Sequence, residues 1–173
     1  LAELREAALH LAVYGGWGTG DLIDKAATRA AEKLGLPPAP RPPIRAEAWD
    51  PEERTAQGIA EFVKTMTFPG GPSISPFMEA INNFVFGEMW CREGLDQRSR
   101  RWLTLVGVAE SCAPIPIGSH FHAAMASGNC KPDELQEFVL AYGLIAGWPK
   151  ASLIQGIVWE MSKKIAEGKA WNE

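Results

Sequence analysis

Apolar positions recur at helical spacing along the whole chain, and no stretch alternates apolar and polar residues for the length of a strand. The opening segment places Leu4, Ala8, Leu11 and Ala12 on one face and stops at Gly15 and Gly16. A second helix is predicted over 19–34, ended by Gly35. Pro37, Pro38, Pro40, Pro42 and Pro43 then forbid helix and predict an extended, semi-rigid linker. Helical pattern resumes where Asp50 can cap and Pro51 suits a first turn, and it runs to about Thr67. Next comes a helix over 76–90 that should bury Phe77, Ile81, Phe84 and Val85. Another over 96–111 should turn Trp102, Leu103, Val106 and Ala109 inward. The CAPIPIG segment reads as a break, followed by a short helix carrying SHFHAAMAS that ends at Gly128. The last two helices are predicted from Pro132 to Gly147 and from Pro149 to about Glu167. The pattern predicts an all-α fold.

The pattern also repeats. Shifted by 131 residues, Glu3, Leu4, Glu6 and Leu9 fall on Glu134, Leu135, Glu137 and Leu140. Gly16, Trp17, Leu22 and Ile23 fall on Gly147, Trp148, Leu153 and Ile154, which makes eight identities in a 21-residue window. Residues 1–35 therefore read as the C-terminal helical part of a first, incomplete module. Residues 36–50 are the Pro-rich linker and 51–173 a complete second module. The first half of the first module would lie outside this sequence, earlier in a longer chain or in another chain.

Composition narrows the function classes. Apolar residues make up 46% of the 173 and charged residues 22%, which supports a packed globular core rather than disorder. A formal charge of −4 argues against nucleic acid as the main partner. No apolar run approaches the roughly 18 residues a membrane span needs, so no membrane partner is expected. Cys91, Cys112 and Cys130 form no CxxC and no zinc-like set. They favour a reducing compartment, read here as the cytoplasm.

Several motifs keep a common order. They are Gly87-Glu88-Met89-Trp90, Arg92, Gly94-Leu95, Arg100, His120, Ala124, Gly128, Glu134, Glu137 and the run Ala146-Gly147-Trp148-Pro149-Lys150-Ala151. Together they resemble the carboxymuconolactone decarboxylase family, as a whole module over about 75–154 and as the tail of another over 3–23. The resemblance implies an alkylhydroperoxidase-like helical bundle of the two-module type, and a homo-oligomer, a trimer or hexamer. The peroxidase branch of that superfamily is expected to carry CxxCxxxH and an upstream Glu. Here Ala113 and Pro116 stand seven and four residues before His120, and Arg101 holds the Glu position. A thiol peroxidase needs an activated thiolate and a resolving partner, and neither is placed.

The family implies decarboxylation of a small carboxylated lactone or cyclic keto acid, within aromatic or related catabolism. That reaction needs a cation for a carboxylate or carbonyl, a donor for the forming enolate, and an acid to return a proton to carbon. Arg92 and Arg100 suit the first task as bidentate anion clamps, or else they are solvated cations or members of helix–helix salt bridges. Ser119 or an Arg suits the second. His120 suits proton transfer near neutral pH, with Glu88 orienting it or acting as an acid; equally, Glu88 could be an ion-pair partner of Arg100. The expected catalytic set is therefore His120, Glu88 and Arg100, with Arg92, Ser119, His122 and Trp90 binding substrate. No cofactor is expected, because the substrate supplies its own electron sink. No metal is expected either: on a helix, His120 and His122 point about 200° apart. His10 has no motif around it and reads as a surface or interface residue. Arg98, Arg100 and Arg101 read as a helix face or an anion pocket. The alternatives are a lactone isomerase, hydrolase or dehydratase on the same scaffold, and a non-catalytic oligomeric binding module.

Overall fold

The computed structural model describes residues 1–39 and 50–173. Pro40, Pro42 and Pro43 of the expected linker lie outside the described residues. The described residues form α1 (Ala2–Gly15), α2 (Trp17–Lys33), α3 (Pro51–Met66), α4 (Pro76–Ala80), α5 (Gln97–Ser111), α6 (Pro114–Ala126), α7 (Pro132–Ala146) and α8 (Trp148–Ala166). They contain no strand, so the fold is all-α as the periodicity requires.

Capping chemistry sets several starts. Asp50 accepts the N–H groups of Glu52 and Glu53 at 2.8 and 2.9 Å, and Asp96 accepts that of Ser99 at 2.6 Å. Glu134 reaches back to the Lys131 N–H at 2.8 Å to open α7. One expected break is instead a helix start. Pro114 and Pro116 lie in the first turn of α6, where their missing N–H groups cost nothing because the first four N–H groups of a helix have no partner inside it.

After α4 the helix does not end but widens into a π-helical stretch, Ile81–Met89, closed by the Trp90 N–H on the Val85 carbonyl at 3.0 Å. The buried side is Asn82, Phe86, Gly87, Met89 and Trp90, while Phe77 is exposed. The expected apolar stripe is thus displaced by about one residue. The cause is the crossing with α3: a Cβ on Gly58 would sit 1.7 Å from the Asn82 carbonyl oxygen, and one on Gly87 would sit 2.8 Å from the Arg54 carbonyl oxygen. Only two glycines let these backbones touch. The face of α5 is displaced as well. Arg100, Arg101, Thr104, Leu105 and Val108 are inward, and Val106 faces out.

Two apolar clusters result. The larger joins α5, α6, α7 and α8 around Leu105, Phe121, Leu135, Ile154 and Val158. The smaller joins Met66, Phe86, Trp90 and Ala123. Tyr14, on α1, packs against both.

Candidate active site

The seam between the two clusters is polar, and it is built by four helical segments. On α1, Glu6, His10 and Tyr14 follow one another at i, i+4 and i+8 and so share a face. The π stretch and its end bring Glu88 and Trp90, α5 brings Arg100, Arg101 and Thr104, and α6 brings His120. At the outer end, Arg92 donates to both oxygens of Glu6, from Nε at 2.9 Å and from Nη2 at 3.0 Å. Arg100 Nη2 donates to the same carboxylate at 3.1 Å. Glu88 accepts from Arg54 at 3.1 Å and from Arg92 at 3.4 Å. Charges this well covered persist because they are paired and hydrogen-bonded.

Arg101 lies at the inner end and is different. It is 0% exposed, and among the described residues no carboxylate pairs with it. Its guanidinium stacks 5.1 Å from the Trp90 ring centre, donates to the Thr65 carbonyl, and meets Nδ1 of His120 at 3.1 Å. Burial is the main cause that draws its pKa down to about 10, so it remains a cation at neutral pH.

These contacts settle the histidine tautomers. A guanidinium only donates, so His120 Nδ1 accepts and Nε2 carries the proton. The same holds for His10. Arg100 Nη1 approaches its Nδ1 at 3.4 Å, which leaves Nε2–H to donate to Thr104 Oγ1 at 2.9 Å. Burial, reinforced by the neighbouring arginines, lowers the His10 pKa to about 3 and holds that of His120 well below its ordinary value. Both rings are neutral near pH 7. Tyr14 stands edge-on to His120, with ring centres 5.5 Å apart, and its hydroxyl accepts the Trp90 indole N–H at 2.7 Å.

Several expectations change accordingly. His120, expected to transfer a proton near neutral pH, is held neutral by burial and receives a guanidinium on Nδ1. Glu88 pairs with Arg54 and Arg92 and makes no hydrogen bond to His120 among the described residues. Arg100 and Arg92 lie on Glu6, so Glu88, Arg100 and His120 do not form one contacting set. Trp90 lies at the centre of the seam. Ser119 is buried, its hydroxyl 3.4 Å from the Pro116 carbonyl. His122 turns away, its Nε2 donating to the Lys169 carbonyl at 3.1 Å, so the two α6 histidines are used separately. His10 is 0% exposed rather than a surface residue. In the basic run, Arg98 pairs with Glu134 at 2.7 Å, whereas its two neighbours are buried. Glu6, His10, Tyr14, Arg101 and Thr104 were not singled out as site residues. A signal existed for Arg101: it occupies the place where the peroxidase branch carries a Glu, a place from which a side chain reaches the histidine.

Comparison with known proteins agrees with the motifs. Residues 75–154 match the carboxymuconolactone decarboxylase family. Over 89 residues the chain is 29% identical to 4-carboxymuconolactone decarboxylase of Acinetobacter baylyi, covering 51% of this chain and 66% of that protein. Over 90 residues it is 30% identical to nitrosuccinic acid decarboxylase of Metarhizium robertsii, covering 52% of this chain and 62% of that one. The matched part thus spans a little under two thirds of each relative. Residues 75–154 are thus similar to the carboxymuconolactone decarboxylase family, and the helical fold of the described residues agrees with that likeness. Glu6, His10 and Tyr14 lie outside the matched segment.

Proposed function

We propose that this chain, whose residues 75–154 match the carboxymuconolactone decarboxylase family, is a decarboxylase that needs no organic cofactor. Its substrate would be a small carboxylate whose departing CO2 leaves an electron pair on an adjacent lactone, carbonyl or nitro group. The observation that carries this reading is Arg101, a buried guanidinium that meets no carboxylate among the described residues, fixed beside a neutral imidazole. A cation left unpaired in the resting protein, next to an N–H donor on His120 Nε2, suits an oxyanion that exists only once the carbon–carbon bond begins to break. Arg101 takes the anion-binding role first expected of Arg92 and Arg100, which are both already paired with Glu6. The two relatives named above are both decarboxylases by name, and both names describe a carboxylate beside an electron-accepting group.

The test is a CO2-release assay of the purified chain with 4-carboxymuconolactone, nitrosuccinate and oxaloacetate. We expect CO2 from at least one of them. Arg101→Met keeps the length of the side chain and should lower kcat/KM by about 10²–10³-fold, the range for losing one oxyanion donor. A folded protein that releases no CO2 from any of the three, or an Arg101→Met variant as active as the parent, sinks the reading. Consumption of the lactone without CO2 would move the assignment to an isomerase or hydrolase.

A further inference from the structure

Decarboxylation must end with a proton delivered to carbon, and the seam offers few groups able to give one. Glu6 and Glu88 are engaged as acceptors of guanidinium N–H groups. His10 and His120 each receive a guanidinium at Nδ1, and His10 spends its one proton on Thr104. A neutral imidazole N–H such as that left on His120 is a hydrogen-bond donor, not an acid of useful strength.

Tyr14 is the group that remains. The indole of Trp90 can only donate, so the 2.7 Å bond between them uses the phenol oxygen as acceptor and leaves its proton unspent. Thr104 accepts from His10, so its own hydroxyl proton is free to turn toward Tyr14. Arg101 adds its charge to the same oxygen's surroundings. These three influences all favour a phenolate, which is what an acid needs once it has given up its proton. Against them burial keeps the resting group a phenol, with a raised pKa.

We propose that Tyr14 is the catalytic proton donor: the phenol O–H protonates the carbon that loses CO2. This role rests on the decarboxylase reading above. The bond to the carboxylate breaks, CO2 leaves, and its electron pair passes to the adjacent acceptor group. As that pair returns to carbon, the new C–H bond forms with the Tyr14 proton. The phenolate is held by the Trp90 N–H, the Thr104 hydroxyl and the Arg101 charge until a proton from water restores it. The sum is a carboxylate and one proton converted to product and CO2. The ionisable groups around Tyr14 are His10 on its own helix, Arg101 on α5 and His120 on α6, with Arg100 behind His10.

The experiment compares the parent chain, Tyr14→Phe and Thr104→Val for kcat and KM of CO2 release from 4-carboxymuconolactone, nitrosuccinate and oxaloacetate, with thermal melting as the check on folding. Tyr14→Phe keeps the ring and removes the acid. It should lower kcat by about 10²–10⁴-fold and leave KM within about threefold. Thr104→Val removes one donor to the phenolate, so kcat should fall by about threefold or more, less than in Tyr14→Phe, with KM within about threefold. A Tyr14→Phe variant with kcat within threefold of the parent overturns the role while the decarboxylase reading stands. Should Tyr14→Phe fail to fold, the kcat of a folded Thr104→Val decides: a fall of about threefold or more at an unchanged KM supports the role, and an unchanged kcat overturns it. No CO2 from the parent with any of the three probes overturns this role together with the reading on which it rests.

Discussion

The helix pair α1–α2 and the pair α7–α8 share one plan and serve different ends. Both turn through a glycine with nearly the same backbone, φ 85° and ψ 155° at Gly16 and φ 96° and ψ 148° at Gly147. That conformation is costly for any residue with a Cβ. A tryptophan follows each turn, and both tryptophans are exposed. The faces diverge beyond that. Glu6, His10 and Tyr14 on α1 correspond to Glu137, Ala141 and Ile145 on α7. Glu6 and His10 are buried against α5, and Tyr14 packs at the same seam, whereas their three counterparts are exposed. Leu4 and Leu135 are identical in the repeat, yet one is 54% exposed and the other 0%. A shared sequence specifies the hairpin, and the partner that packs on it decides which face is inside. α1 meets the buried Arg100 of α5 through Glu6, whereas α7 meets the exposed Arg98 of α5 through Glu134.

The largest difference between the pairs should appear at their equivalent glutamates. Glu6→Ala leaves the guanidinium of Arg100, 1% exposed, without its carboxylate, and takes two contacts from Arg92. Removing one partner of a buried ion pair costs about 3–5 kcal/mol. Glu137→Ala touches an exposed side chain and should stay within about 0.5 kcal/mol. Urea denaturation of the two variants measures the contrast. Equal effects would mean that the buried network holds nothing together.

A second contrast depends on pH. The folded protein holds His10 at a pKa of about 3, far below the ordinary 6.5. From about pH 6.5 downward the unfolded chain binds a proton there that the folded chain refuses. Stability therefore falls with decreasing pH until about pH 3. His120 acts in the same direction. The α7 counterpart of His10 is Ala141, which cannot titrate. His10→Asn should flatten the slope of unfolding free energy between pH 6 and pH 4 by about one proton's worth, and Ala141→Asn should leave it unchanged. Denaturation at pH 7, 6, 5 and 4 checks both.

The helices, their caps and the all-α class were legible because apolar spacing, Asp and Gly signals and proline positions act locally. The repeat was legible as residue identities. The burial of individual faces was not. On α5 the apolar pattern points to Val106, yet the inward face carries Arg100, Arg101 and Thr104. A periodicity argument counts arginine as outward, and here partners from elsewhere in the chain reverse that. On the stretch after α4, the Gly58–Gly87 approach and the wider π turn displaced the stripe, and neither has a local signal strong enough to announce it. His120 was found through a motif that places it in sequence. Glu6, His10 and Tyr14 were passed over because what makes them site residues is α5, some 90 positions away in the chain.

The smallest effect tests the plan the two pairs have in common. Where α1 crosses α2, Ala12 faces Gly20; where α7 crosses α8, the equivalent positions are Gly143 and Ala151. Each crossing thus holds one glycine and one alanine, in opposite order. A Cβ on Gly20 would lie 2.7 Å from the Ala12 Cβ and 2.9 Å from the Ala8 carbonyl oxygen. Gly20→Ala should therefore cost about 1–3 kcal/mol, as overpacking does. Ala12→Gly alone should cost about 1 kcal/mol through helix propensity. Together the two substitutions recreate the order found at α7–α8, and the double variant should be more stable than the sum of the single costs predicts. A coupling of about 0.5 kcal/mol or more, read from a thermal or urea double-mutant cycle, would make the two crossings one interchangeable design. Simple additivity would mean that the Ala8 carbonyl, which neither substitution moves, sets the approach of α2, and that the two pairs reach a common shape by different contacts.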